Sequence, residues 1–158
     1  MAENSLITEG LKKLRGMTLE PIIFKVEEGA IKRYAEAIAD PNPLYNDEEY
    51  ARKSSYGKLI CPPGFAGWPT RGKMPYFRIV DALRAAGAPA RILDGSTDYE
   101  FFEPIVAGDV LTATVTITDI HEKESRSGRI MMYTLSETTY AKENGDIALK
   151  QWATFISY

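Results

Sequence analysis

The chain has 158 residues and a mass of 17.6 kDa, the size of one domain that can bury a core without disulfides or metals. Hydrophobic residues make up 44% and charged residues 26%, so it reads as globular and not as disordered. Its 19 Lys and Arg against 22 Asp and Glu leave a net charge of −3, which argues against nucleic acid as a partner, because phosphate neutralisation needs a basic face.

In chain order, residues 6–15 can form a short helix with Leu11 and Leu14 on one face. Pro21 to Val26 reads as a first strand, ended by Gly29. Ile31, Tyr34, Ala35 and Ile38 follow at i, i+3, i+4 and i+7, the apolar stripe of an amphipathic helix. Asp40-Pro41-Asn42-Pro43 stops that helix and predicts a tight extended turn. Asp47 then reads as the N-cap of a short helix that opens with Glu48 and Glu49. Residues 57–75 are dense in proline and glycine, yet Leu59, Ile60, Phe65 and Trp68 interleave with them. That composition predicts a shaped loop, since a flexible linker would be polar. Tyr76, Ile79, Val80 and Leu83 share one face of a second main helix, closed by Gly87 and Pro89.

The C-terminal half changes period. Ser96 to Phe102 reads as a short strand before Pro104. Leu111, Ala113, Val115 and Ile117 alternate with threonines, a strand whose apolar phase flips at Ile120 and so predicts a bulge or a strand end near Asp119. Residues 129–141 and 147–156 give two more strands, joined by the hairpin signal Asn144-Gly145. Helices first and an antiparallel meander afterwards make the fold class α+β.

The chain has one cysteine, Cys61, and one histidine, His121. An intramolecular disulfide is excluded, and so are a histidine-rich metal site and a structural zinc site. No apolar run approaches the ~20 residues of a membrane span, and Met1 to Ser5 lack the basic-then-apolar pattern of a secretory leader. The expected address is the cytoplasm, with no membrane partner.

Four features can carry chemistry. Asp40 on its proline-rigid turn can orient or deprotonate a water, or Asp40 and Asn42 can simply satisfy turn backbone. In Cys61-Pro62-Pro63-Gly64-Phe65 the small residues can expose backbone amides to a ligand, with Pro63 at a first helical position and Gly64 and Phe65 as the oxyanion-facing residues. The plain alternative is a packed loop around a buried thiol. His121 reads as a solvated or capping histidine. Lys58, Arg71, Lys73 and Arg78 can bind ligand phosphates or form a solvated face. Trp68, Phe65, Ile79 and Val80 are candidates for an apolar substrate channel, with core packing as the alternative.

The run Phe24 to Ile38 leads into Asp40-Pro41-Asn42-Pro43-Leu44-Tyr45. Tyr50-Ala51, Ile60-Cys61-Pro62-Pro63-Gly64-Phe65 and Tyr99-Glu100-Phe101-Phe102-Glu103-Pro104-Ile105-Val106-Ala107-Gly108-Asp109 follow. In this order these residues resemble the MaoC-like dehydratases, in particular the branch called the MaoC-like N-terminal or fatty-acid-synthase-I-like dehydratase domain. The resemblance runs over roughly residues 20–157. It implies a single hotdog domain over residues 1–158, a curved antiparallel sheet wrapped around a central helix, with 1–19 as an N-terminal helical extension. Two such domains pair side by side, with acyl-thioester sites at their interface.

The implied activity is reversible addition of water across a 2-enoyl thioester. Active members carry an Asp and, five residues later, a His, with helix-start amides polarising the thioester carbonyl. Asp40 matches the acid, but Tyr45 stands at the histidine position, and Pro62-Pro63-Gly64 stands where active members often have His-Gly. A phenol of pKa near ~10 is a poor base at neutral pH. The resemblance therefore implies Asp40 and Tyr45 as catalytic positions, with Asn42 of the same turn beside them, and the residue readings above add Pro63, Trp68, Arg71 and Lys73 as substrate-binding positions. It implies coenzyme A or acyl-carrier thioesters as substrate and no cofactor. The chain is expected to be the degenerate half that pairs with a catalytic MaoC-like subunit. The alternatives are a self-sufficient homodimeric hydratase using Asp40, and an acyl-CoA-binding hotdog or thioesterase.

Overall fold

The computed structural model describes residues 5–66 and 75–158, with side chains from residue 77 onward in the second stretch. The elements in order are α1 (Glu9–Leu14), β1 (Ile22–Lys25), α2 (Glu28–Ala37), α3 (Pro43–Asn46), α4 (Glu48–Lys53), α5 (Pro75–Ala85), β2 (Ile92–Phe101), β3 (Val110–Glu124), β4 (Ile130–Lys142) and β5 (Ile147–Ser157). The strands make one antiparallel sheet in the order β1-β3-β4-β5-β2.

Period two decides which face of the sheet is covered. On β3, Leu111, Ala113, Val115 and Ile117 are buried, and the register then slips between Ile117 and Asp119. After the slip Ile120 takes over the inner face, as the phase flip predicts. The helices cover this face in two clusters. One gathers Ala30, Ile31 and Ala35 of α2 with Phe24, Tyr45, Phe65 and Tyr140. The other gathers Leu11 and Leu14 of α1 with Ile79 and Leu83 of α5, Met132 and Phe155.

Several elements depart from the sequence reading. Helix α1 starts at Glu9, not at residue 6, because the Thr8 hydroxyl accepts from the Leu11 amide and caps it there. The segment after Pro41 is not extended throughout. Pro43 sits in the first turn of α3, where a missing N–H does no harm, and Asn42 caps it by accepting from the Leu44 amide at 3.0 Å. Strand β2 begins at Ile92, because a bulge between Asp94 and Ser96 absorbs the break in alternation at Gly95. Asp47 caps α4 as expected, accepting from the Glu49 and Tyr50 amides.

The residue run Ile105 to Asp109 works as a clamp. The Asp109 carboxylate accepts from the Val106 amide at 3.0 Å and lies 3.1 Å from Lys142 Nζ, tying this turn to the end of β4. Gly108 holds φ at 92°, a conformation that favours glycine.

The N-terminal extension belongs to the core. Leu11 is fully buried, the Thr8 hydroxyl donates to Ala86 O at 2.6 Å, and the Arg15 guanidinium donates to Ile120 O. Leu11→Ala is therefore expected to lower stability in urea by about 2–5 kcal/mol, the range for a fully buried leucine. A loss below about 1 kcal/mol would mean that α1 frays independently of the sheet.

Candidate functional site

The site is built on the chain that leaves α2. Ala39 takes a left-handed φ of 53°, and the Asp40 amide donates back to Ala35 O at 2.9 Å, which closes the helix end. Asp40 Oδ1 then accepts from the Asn42 amide at 3.0 Å. The Asn46 carboxamide donates to Asp40 O at 3.0 Å and to Asn42 O at 3.1 Å. Asp40 and Asn42 thus both satisfy turn backbone, whatever chemistry they add.

This turn drives Tyr45 inward. It is 8% exposed and packs in the same cluster as Ile31 and Phe65. Burial first, and then the Asp40 carboxylate, raise the Tyr45 phenol above its ordinary value of 10, against the pull of a side-chain hydrogen bond with Asn42. Tyr56 adds a smaller push in the same direction. The phenol is therefore a hydrogen-bond donor at neutral pH and no general base.

Tyr45 lines an apolar cleft of about 290 Å³ with Tyr56, Cys61, Pro63, Phe102 and Ile105 among its walls. Asp40 does not line it. Asp40 borders a separate open depression with Lys32, Glu36, Pro41 and Asn46. The structure thus brings Tyr45 and Pro63 to one cleft, while Asp40 acts on the charge of Tyr45 without lining that cleft. Phe101, Phe102 and Glu103 border the cleft as well, and no role was read for them from the sequence. Their only signal was their place in the run Tyr99 to Asp109.

The segment Pro62 to Phe65 corrects an expectation. Pro63 is not at a first helical position. The Phe65 amide donates to Pro62 O at 3.1 Å and Gly64 has φ 85°, a β-turn with proline and glycine at its two centres. The Phe65 amide is consequently committed to the turn. The Phe65 ring stacks on Tyr34 at 4.8 Å, and a Cβ at Gly64 would lie 3.4 Å from the Tyr34 hydroxyl oxygen. The strand-like stretch before the turn is fixed by Cys61 N donating to Ile105 O and Ala107 N donating to Leu59 O, both at 2.8 Å.

Trp68, Arg71 and Lys73 lie outside the described residues. Of the other two cations, Arg78 is exposed on α5. Lys58 lines a depression of about 670 Å³ that also holds Glu27, Glu28, Glu48 and Arg52, so its surroundings are of mixed charge and not cationic. His121 sits beyond the β3 bulge, its Nδ1 2.8 Å from Asp119 Oδ2 and its ring stacked on Tyr133 at 5.5 Å. The His121 hydrogen bond holds the Asp119 carboxyl below its ordinary value of 3.8. It takes no part in the Tyr45 cleft. Ile79 and Val80 are buried as core. Among the described residues no helix is long and apolar enough to cross a membrane.

Comparison with known proteins gives this geometry a context. The family model described as the FAS1-like dehydratase domain region matches residues 13–150. A UPF0336 protein of Thermobifida fusca is 32% identical over 127 residues, covering 74% of each chain. A probable enoyl-CoA hydratase alpha subunit of Thermomonospora curvata is 26% identical over 134 residues, covering 77% of this chain and 42% of that one. Among solved structures, the truncated HadBC (3R-hydroxyacyl-ACP dehydratase) complex of Mycobacterium tuberculosis aligns with a TM-score of 0.74 at 21% identity. That alignment covers 91% of this chain and 97% of that one, and it identifies the fold as a hotdog.

The titration of Tyr45 is open to measurement. In an absorbance titration, the ionisation that disappears in Tyr45→Phe is expected to have its midpoint above ~10, the ordinary tyrosine value. A midpoint at or below that value would contradict the buried, acid-flanked setting.

Proposed function

Since the chain belongs to the FAS1-like dehydratase domain family, we propose that it is the degenerate half of a heteromeric hotdog 2-enoyl-thioester hydratase or 3-hydroxyacyl-thioester dehydratase. The observation that carries this reading is Tyr45. It stands where the MaoC-like pattern places an imidazole, and burial and Asp40 keep its phenol protonated. Hydration needs a base to take a proton from water as oxygen attacks C3, and an acid to deliver one to C2. Among the described residues, the Tyr45 cleft offers a donor and a single carboxylate, the exposed Glu103.

In this reading the partner subunit contributes the Asp/His pair. This chain contributes the apolar wall of the acyl site, with Tyr45, Ile60, Pro63, Phe102 and Ile105 against the acyl group. The thioester is carried by coenzyme A or by an acyl carrier protein, the two carriers named for the similar proteins above. Both of those proteins are named as a subunit or a complex, which supports a partner for this chain. The competing reading, a self-sufficient homodimer, is favoured by one observation: Asp40 lies near enough to Tyr45 to act on its charge.

Asp40→Asn separates the two readings, because asparagine keeps the acceptor that holds the Asn42 amide while removing the charge. The complex of this chain with a catalytic MaoC-like subunit from the same host is expected to keep its enoyl-thioester hydration rate within about two-fold in Asp40→Asn. Substitution of the partner's own acid or histidine should lower the rate by at least 10²-fold, the scale of a lost general acid or base. A comparable loss from Asp40→Asn would place the reaction on this chain.

A further inference from the structure

The cleft beside Tyr45 is walled by aromatic rings and holds no positive charge. Tyr45, Tyr56, Phe101 and Phe102 line it, and none of its described lining residues is a lysine, arginine or histidine. Two of these rings are open. Tyr56 and Phe102 are 41% and 49% exposed, and among the described residues neither makes a ring contact or lies under a cation. The face of an aromatic ring is its electronegative part, so an open ring face attracts positive charge.

The carboxylates around the cleft act in the same sense. Glu103 lines it, is exposed, and forms no ion pair among the described residues. The Phe102 and Glu103 amides both donate to Ala148 O, at 2.9 and 3.2 Å, which fixes the chain where the ring and the carboxylate adjoin. Asp40 does not line the cleft, yet its charge reaches Tyr45. Lys142 donates to the carbonyl of Pro104, but it is held 3.1 Å from Asp109 and does not line the cleft.

An anionic group entering this cleft meets a carboxylate and no cation, and burying an unpaired charge is costly. A quaternary ammonium is weakly hydrated, so it loses little on leaving water and gains both the ring faces and Glu103. We infer that the cleft selects a cationic acyl group, a chain whose far end carries an ammonium seated against Tyr56 and Phe102 and paired with Glu103. This deepens the reading above and rests on it for an acyl thioester as the ligand. What it adds is the charge of the acyl end, which an apolar wall alone leaves open.

Choline and its isostere 3,3-dimethylbutan-1-ol share a shape and differ in charge, so the pair isolates the cation. Titrated into the full chain and followed by nuclear magnetic resonance, choline is expected to bind about ten-fold more tightly than the alcohol. Glu103→Gln and Phe102→Leu, both at exposed positions, are each expected to cut that ratio by about three-fold. Saturating choline, and not the alcohol, should lower the titration midpoint of Tyr45, because a nearby cation favours the phenolate. The coenzyme A thioester of trimethylammoniobutanoic acid should displace choline at about one tenth of the concentration needed for its tert-butyl counterpart, in which carbon replaces the charged nitrogen. Equal binding of choline and the alcohol overturns the proposal. So does a full ratio in either variant, a Tyr45 midpoint that choline leaves unmoved, or equal displacement by the two thioesters. All of these results leave the half-site reading standing. Turnover by the isolated chain would remove that reading instead, and the choline preference, measured without turnover, would still stand.

Discussion

The turn from Ala39 to Asn46 is held by its own side chains, and the placement of each candidate functional group depends on it. Asp40 accepts from the Asn42 amide, Asn42 accepts from the Leu44 amide, and Asn46 donates to two turn carbonyls. Together these bonds leave little freedom in where the next side chains point. Tyr45 goes into the core beside Phe65 and Ile31, and Asp40 stays on the α2 side of the turn. A single local hydrogen-bond network thus holds Asp40 within electrostatic reach of the phenol and gives the apolar cleft its donor.

That network connects the fold to the function. The cleft walls come from distant parts of the chain: Tyr45 and Tyr56 around α3 and α4, Pro62 and Pro63 from the β-turn, and Phe101 to Ile105 from the end of β2 onward. The antiparallel bridge between Ile60 and Val106 holds two of these segments together. The cleft thus adjoins the C-terminal end of β2.

The sheet was legible in the sequence because its period is short and regular. Leu111 to Ile117 alternate with threonines, and the phase flip at Ile120 left a bulge or a strand end near Asp119, of which the register slip between Ile117 and Asp119 selects the bulge. Three errors have specific causes. The two prolines around Asn42 mark a chain break, but Pro43 also fits the first turn of a helix once Asn42 caps it. Gly95 and its bulge hid the first residues of β2. At Pro62 to Phe65, proline followed by glycine suits a β-turn as well as a helix start, and the Phe65-to-Pro62 bond selects the turn. For the site, the sequence pointed to Tyr45 and Asp40 as a pair. It carried no sign that only Tyr45 lines the apolar cleft, because the cleft also takes Phe101 to Ile105 from a distant part of the chain.

The central claim is that this chain lacks a complete proton-transfer site of its own. The most direct measurement is the loss of enoyl absorbance when the purified chain alone meets a panel of 2-enoyl-CoA thioesters, from short to bulky. The account predicts no hydration above the uncatalysed background with any of them. Turnover by the isolated chain that Asp40→Asn abolishes would contradict it and make Asp40 the base of a self-sufficient enzyme.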